Sequence, residues 1–368
     1  MRRSLIHNGS CAQCERRAVY GVREKSILFV GAGVEQVPGI LKARQLGLRV
    51  FAIDANPKAR GAKFAHEFFN VSTHDVEAAA DVAEWIKKKR GLDGVATIGV
   101  DAPITLATIS DRLGLFGPSL ETATLCSNKL IQKQALKRFG LPIPEFSAVS
   151  SESEVAKMLS RFKALVLKPI DSRGSRGVVQ LYEGDNITQA LNIARSHSPS
   201  GTVIAERMIR GPQISTESII IDGKPYTVGF SDRNYEYWNR FKPHIIENGG
   251  DMPSRFLNLY DRINDLVAES ARALGVRYGI LKGDLVIENG EPKIIEFAAR
   301  PSGGFFCTHQ IPYSWGRDLV RVIILMYLGI PLKLEPVKPN EFCGSSIRFV
   351  HPETGTITAI HGIRDAYL

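Results

Sequence analysis

Between Lys25 and Asp54 the sequence reads strand, glycine turn, helix, strand, and that order leaves few folds open. Ile27 to Val30 is a short apolar run suited to a buried strand. Gly31-Ala32-Gly33 makes a tight turn. A helix follows and ends near Gly47, and Leu48 to Ile53 is the next strand, closed by Asp54. Such a crossover implies that the two strands are parallel. A further strand at Val95 to Val100 and a helix from about Pro103 extend the pattern until Gly117-Pro118 breaks it. Residues 25–120 are therefore expected to form a small doubly wound α/β domain.

The glycine turn also invites a dinucleotide-binding reading, with Asp54 where a ribose-binding acid would sit. The third glycine of that pattern falls on Gln36, so the bland alternative is a turn in which glycine only lets strand and helix approach. Beyond it, a helix is expected over about Leu120 to Phe139, stopped by Gly140, Pro142 and Pro144. A helix near 151–162, strands Ala164 to Pro169 and Val178 to Tyr182, a helix near 186–197 and a strand Thr202 to Ile209 form an α+β subdomain. Asp222-Gly223 and Asn289-Gly290 each mark a hairpin, with a helix at about 257–274 between them. Arg317 to Leu328 reads as a buried helix. Ser345 to Val350 reads as a strand, and Ile357 to Ile363 begins its partner.

Composition narrows the function. Of 368 residues, 44% are hydrophobic and 23% charged, which is ordinary for a globular protein and excludes disorder, collagen and coiled coil. The longest apolar run, Val322 to Leu328, is far short of the ~20 residues that span a bilayer, so no membrane partner is expected. The net charge is +9, of which residues 1–25 contribute +4; residues 1–24 are read as a flexible leader. The rest is too mild for a nucleic-acid groove and suits an anionic small molecule. Five scattered cysteines exclude a disulfide scaffold, and Cys11 and Cys14 lack the second pair a zinc site would need. Arg2-Arg3 is followed by no apolar export segment, so the expected compartment is the cytoplasm.

Three stretches carry chemistry. In the first, a strand delivers Lys168 into the loop Ser172-Arg173-Gly174-Ser175-Arg176-Gly177, and a second strand leaves. Its glycines let backbone N–H groups converge on phosphate oxygens, while Lys168 and Arg176 add charge. The alternative is a surface hairpin. In the second, the strand end Glu206-Arg207-Met208-Ile209 and the turn to Gln213 offer polar groups for an adenine edge and apolar ones for its face. The alternative is an ordinary strand with an exposed Glu–Arg pair. In the third, Asp284 and Glu296 flank the Asn289-Gly290 turn, and Arg300-Pro301-Ser302-Gly303-Gly304 follows. Two converging carboxylates suit Mg²⁺ against a triphosphate. A plain two-residue turn pairs Asp284 with Ile295 and puts Glu296 on the other face. A metal site here therefore requires an odd loop or a one-residue bulge; otherwise the strand is merely acidic and solvent-facing.

Together, and with Lys129 upstream in Cys126-Ser127-Asn128-Lys129, these stretches resemble the ATP-grasp superfamily over about residues 27–363, closest to carbamoyl-phosphate-synthase-like and L-amino-acid-ligase-like members. The resemblance implies a pre-ATP-grasp domain (25–120), an ATP-grasp domain (121–333) with a mobile lid at about 145–208, and a small C-terminal β element (334–368). It implies that Lys129 and Lys168 are phosphate lysines, Ser172 to Gly177 the closing loop, and Glu206 to Ile209 the adenine site, with Gln213 at the ribose. It further makes Asp284 and Glu296 the metal ligands, for one or two Mg²⁺ with Mn²⁺ admissible, and Arg300 the arginine on the transferred phosphate. Ala298 replaces an asparagine that would help hold a second ion.

The implied activity is ATP-dependent joining of a small carboxylate to an amine through an acyl phosphate, with a homodimer admitted. Arg233 is a candidate for the acceptor carboxylate, or simply a surface ion pair. Ser302, Gly303 and Gly304 are candidates for backbone N–H donors to the acyl phosphate. His309 is a candidate base, or a packed histidine. The alternatives are a bicarbonate-activating enzyme of the biotin-carboxylase or carbamoyl-phosphate type, a non-catalytic ATP-binding regulator favoured by Ala298 and Gln213, and an NAD-dependent oxidoreductase.

Overall fold

A computed structural model describes Val22 and residues 24–365, so the leader, with Cys11 and Cys14, falls almost wholly outside the described residues. The first sheet holds β1 (Ser26–Val30), β2 (Arg49–Ile53), β3 (Glu67–Phe69) and β4 (Gly94–Ala96) in the order β3-β2-β1-β4, every pair parallel. Ile27, Leu28, Phe29 and Val30 are fully buried, as a strand covered on both faces must be. The apolar helix Leu319–Tyr327 packs into this core although it comes late in the chain. It comes so close to β4 that a Cβ on Gly94 would lie 2.6 Å from the Tyr327 carbonyl oxygen, so only glycine fits there.

The glycine turn after β1 is closed on itself. Gln36 is buried beside Gly31 and Gly33 and donates to the Ile98 carbonyl. Asp54 accepts from Ala32 N and Asn56 N, each at 2.9 Å. The space and the acid that a dinucleotide would use are thus both taken by the protein, and the turn serves packing. β4 also ends earlier than Val100. Thr97 leaves the sheet, its hydroxyl donating to the Val30 carbonyl at 3.1 Å.

The second sheet contains β5 (Phe146–Val149), β6 (Ala164–Pro169), β7 (Val179–Tyr182) and β8 (Val203–Arg207), ordered β5-β8-β6-β7 and wholly antiparallel. Helices Glu152–Phe162 and Ile187–Ser196 complete its separate small core. The third sheet contains β9 (Gln213–Ile221), β10 (Lys224–Asn234), β11 (Gly249–Met252), β12 (Gly279–Glu288), β13 (Glu291–Ala298) and β14 (Ser345–Arg348), ordered β13-β12-β9-β10-β11-β14. Helix Tyr260–Ala273 packs on it. Both expected hairpins form over left-handed pairs, Asp222 and Gly223 (φ 52° and 77°) and Asn289 and Gly290 (φ 53° and 82°), the conformation of a two-residue turn that follows the sheet's twist.

Two further expectations fail. The helix expected over 120–139 is two helices, Leu120–Ser127 and Lys129–Arg138. Asn128 between them is extended, and its side-chain oxygen accepts from Leu130 N and Ile131 N, a cap that restarts the helix at Lys129. The partner strand expected at 357–363 does not form. β14 pairs with β11 instead, and Ile357 and Ile360 stay 65% and 68% exposed. No helix among the described residues is long and apolar enough to cross a membrane.

Candidate active site

A cleft of about 730 Å³ lies between the second and third sheets and is reached by loops of the first. Its floor is the β12–β13 hairpin. The turn pairs Glu288 with Glu291 and the ladder runs regularly to Leu285 opposite Ile294. There the register shifts by one, leaving Ile295 unpaired and setting Asp284 directly opposite Glu296. This one-residue bulge is what brings the two carboxylates onto one face. Lys129 Nζ lies 3.3 Å from a Glu296 oxygen, and Arg233 Nη1 lies 2.7 Å from Asp284 Oδ1. Lys282 takes the other Asp284 oxygen. Burial alone would push both acids up; for Glu296 the lysines 129, 168 and 282, and for Asp284 Arg233 and Lys282, overcome it and hold them low.

Deeper in, Glu206 is buried between two ammoniums, Lys168 at 2.9 Å and Lys133 at 3.4 Å. Lys133 stands one turn after Lys129 on the same helix face, with its Nζ also on the Ile294 carbonyl at 3.3 Å. Burial holds its pKa down to about 8 despite Glu206, since one carboxylate serves two lysines. Glu206 itself stays low; its burial is outweighed by Lys133 and Lys168. Only one of its oxygens is used: Oε1 is buried with no partner.

The loop 172–177 lies over this cluster. Lys129 Nζ donates to the Ser172 carbonyl at 3.1 Å, and Lys129 N to the Ile170 carbonyl at 2.8 Å. Gly174 and Ser175 are left-handed and exposed (φ 60° and 57°), and Arg176 is exposed beside them. Gly177 is different: a Cβ there would meet His197 Cβ at 2.6 Å, so it is a packed pivot at the base of the loop.

Arg300 lines the cleft. Asp101, in the loop after β4, holds its Nη2 at 3.3 Å, and its Nε is buried without a partner. Of the candidate donors Ser302, Gly303 and Gly304, two are not free as expected. Ser302 N gives its hydrogen to Glu217, at 3.1 Å to Oε1, and Gly304 N donates to Glu35 Oε1 at 2.7 Å. Ser302, Gly303 and Gly304 line the cleft, but the buried Glu217 and the half-buried Glu35 fix the loop from behind. Burial raises the Glu217 pKa to about 7, against the pull of Ser302 and Arg300.

Met208, Ile209 and Gln213 line the far end of the cleft, with Val166 and Val286. Arg207 lines it too, but its guanidinium is engaged away from Glu206. It is forked onto Glu288 at 2.8 and 2.9 Å and reaches Glu145 at 2.7 Å, so it latches the second sheet to the hairpin. Arg233 is no surface pair: besides Asp284 it holds Glu247. Residues 235–248 form a strap beside it. Trp238 O accepts from Gln180 Nε2 at 3.0 Å, and Pro243 O from Gln180 N at 2.8 Å, so the strap ties the edge of β7 to the Arg233 end of the cleft. His309 packs at 5.3 Å against Phe305 outside the cleft lining.

The donor set tests two small partners. Among the described residues no three His, Cys, Asp or Glu side chains converge. Asp284 and Glu296 offer two hard oxygens, which suits Mg²⁺ completed by phosphate and water and does not suit zinc. The unpartnered Glu206 Oε1 suits an amino donor such as that of adenine, and the unpartnered Arg300 Nε suits a phosphoryl oxygen.

Residues 126–304 match the ATP-grasp domain. Among curated proteins, an uncharacterized protein of Sinorhizobium fredii is 24% identical over 328 residues, covering 87% of this chain and 66% of its own. The phosphoribosylamine–glycine ligase of Caldanaerobacter subterraneus is 25% identical over 292 residues, covering 74% and 68%. The solved L-amino acid ligase of Bacillus licheniformis superposes with a TM-score of 0.67 at 23% identity, covering 83% of this chain and 74% of the other. The chain thus spans about two thirds of the length of those curated relatives. Residues 126–304 thus form an ATP-grasp domain, and the chain shares its fold with that solved ligase.

Proposed function

We propose that the chain is an ADP-forming ligase that phosphorylates a small carboxylate with ATP and joins the acyl phosphate to an amine. One observation carries this: Lys129, Lys168, Lys282, Arg233 and Arg300 converge on one cleft that also holds a facing pair of acids. A triphosphate and a carboxylate repel each other. At ~4 Å and an effective dielectric near 20, each pair of unit charges is worth about 4 kcal/mol. Bringing the two together needs fixed cations, and phosphoryl transfer needs little else from a protein than positioning and charge.

Glu206 Oε1 and the Met208–Ile209 wall take the base, and Gln213 lies toward the ribose. Lys168 and Lys129 hold the phosphates under the loop 172–177. Arg300, aimed by Asp101, steadies the transferred group through its free Nε. Magnesium held by Asp284 and Glu296 would neutralise phosphate charge. Arg233 and the strap 235–248 bound the acceptor end. Closure of the loop over the base of Gly177 keeps water from the acyl phosphate. The three described cysteines are all free thiols, which suits a reducing cytoplasm.

An ADP-release screen against carboxylates, amines and bicarbonate, read by product mass, tests this. An amide product and stoichiometric ADP are expected. ADP release that needs only bicarbonate would replace the ligase with a bicarbonate-activating enzyme. No release with any acceptor, despite nucleotide binding, would leave a regulator.

A further inference from the structure

Lys282 stands two residues before Asp284 on β12 and so shares its face; opposite it on β13 is Ala298, two residues after Glu296. The cleft face of the hairpin therefore shows four side chains in two rows, Lys282 and Asp284 against Ala298 and Glu296. Two of them are acids. The fourth position offers a metal nothing, because alanine has no ligand atom, and among the described residues no third acid converges. The position opposite is not empty of charge: the Lys282 ammonium sits on Asp284 Oδ2, with its side chain only 15% exposed. Arg233 holds Asp284 Oδ1 at 2.7 Å, with Ser215 Oγ at 3.4 Å, whereas Glu296 has a single cation partner, Lys129 at 3.3 Å on Oε2.

We infer that Lys282 is a built-in cation that takes the place a second metal ion would need, so that the site binds one divalent cation per nucleotide. The ammonium is covalently fixed beside Asp284 and supplies positive charge without oxygen ligands. A second divalent ion there would find one short acid already paired and would face an ammonium and a guanidinium at close range. The inference rests on the nucleotide reading above.

The test counts ions. Mn²⁺ is titrated into protein carrying an equimolar non-hydrolysable ATP analogue, and free Mn²⁺ is read by electron paramagnetic resonance. One bound ion is expected for the natural protein and for Lys282→Arg, and two for the double variant Lys282→Met/Ala298→Asn. Two ions on the natural protein would overturn the inference, as would a single ion on a double variant that still binds the analogue. Should the double variant not bind the analogue, Ala298→Asn alone decides: Lys282 remains, so one ion is expected, and two would overturn it. Failure of the natural protein to bind the analogue would overturn the nucleotide reading itself, a result distinct from a count of two.

Discussion

Replacing Glu217 with glutamine should change how stability depends on pH. Glu217 is fully buried in β9 behind the Arg300–Gly304 loop, accepting from the N–H of Ser302 at 3.1 Å. Burial lifts its pKa from the ordinary 4.5 to about 7. Between those values the folded protein keeps a proton that the unfolded chain has lost. Folding there takes up a proton, so this contribution is complete below pH 4.5, declines as pH rises, and is gone above about 7. At ~1.4 kcal/mol per pH unit, the span amounts to about 3 kcal/mol. Glutamine has nothing to titrate and can still accept from Ser302 N. Urea unfolding of both proteins at pH 4.5, 5.5, 6.5 and 7.5 isolates the effect, because the other groups cancel in the difference. Relative to the natural protein, Glu217→Gln should gain about 3 kcal/mol from the lowest to the highest pH. A difference that stays flat would refute the assignment of a protonated, buried Glu217.

Other outcomes follow from the same charge cluster. Lys168→Ala or Glu296→Ala should lower ATP turnover by at least about two orders of magnitude, since each removes charge from the phosphate or metal position; near-natural turnover would count against the site. Glu206→Gln leaves Lys133 and Lys168 buried without a counter-charge and should cost about 3–5 kcal/mol in urea unfolding. Adding Lys133→Met should restore part of that loss. Gly177→Ala combines a left-handed backbone with contact on His197 Cβ, whereas Gly174→Ala meets nothing within 4 Å. The first should lower the melting temperature clearly more than the second, with overpacking worth about 1–3 kcal/mol beyond the shared backbone term.

Much of the site was legible because its chemistry is written in spacing. Asn289-Gly290 fixes a two-residue turn, and the parity of Asp284 and Glu296 then demands a bulge, which the structure supplies at Ile295. Lys168 leaves the end of an apolar strand, so its place beside the loop 172–177 follows from the strand alone. The helix break at Asn128 was missed because the hydrophobic pattern continues across it; only the capping power of asparagine before Lys129 gave a signal. Lys133 and Lys282 were missed for lack of context, since a lysine four residues after Lys129 or two before Asp284 looks like ordinary surface charge until the helix or strand face is known. Glu217 did leave a trace, a lone acid in the run Ile214 to Ile221. Asp101 and Glu35 act on Arg300 and Gly304 from nearly 200 residues away or more, and contacts of that range come only from the packing of one sheet's loops against another.

The most direct test of the central claim follows an oxygen atom. With an acceptor acid labelled with ¹⁸O in its carboxylate, transfer of the γ-phosphoryl group to that acid and attack by the amine must leave one ¹⁸O in the phosphate released. Mass spectrometry should find singly labelled phosphate in step with amide and ADP. Unlabelled phosphate from a reaction that still makes amide would show that the carboxylate is never phosphorylated, and the account of the cleft as a phosphoryl-transfer site to an organic acid would be wrong.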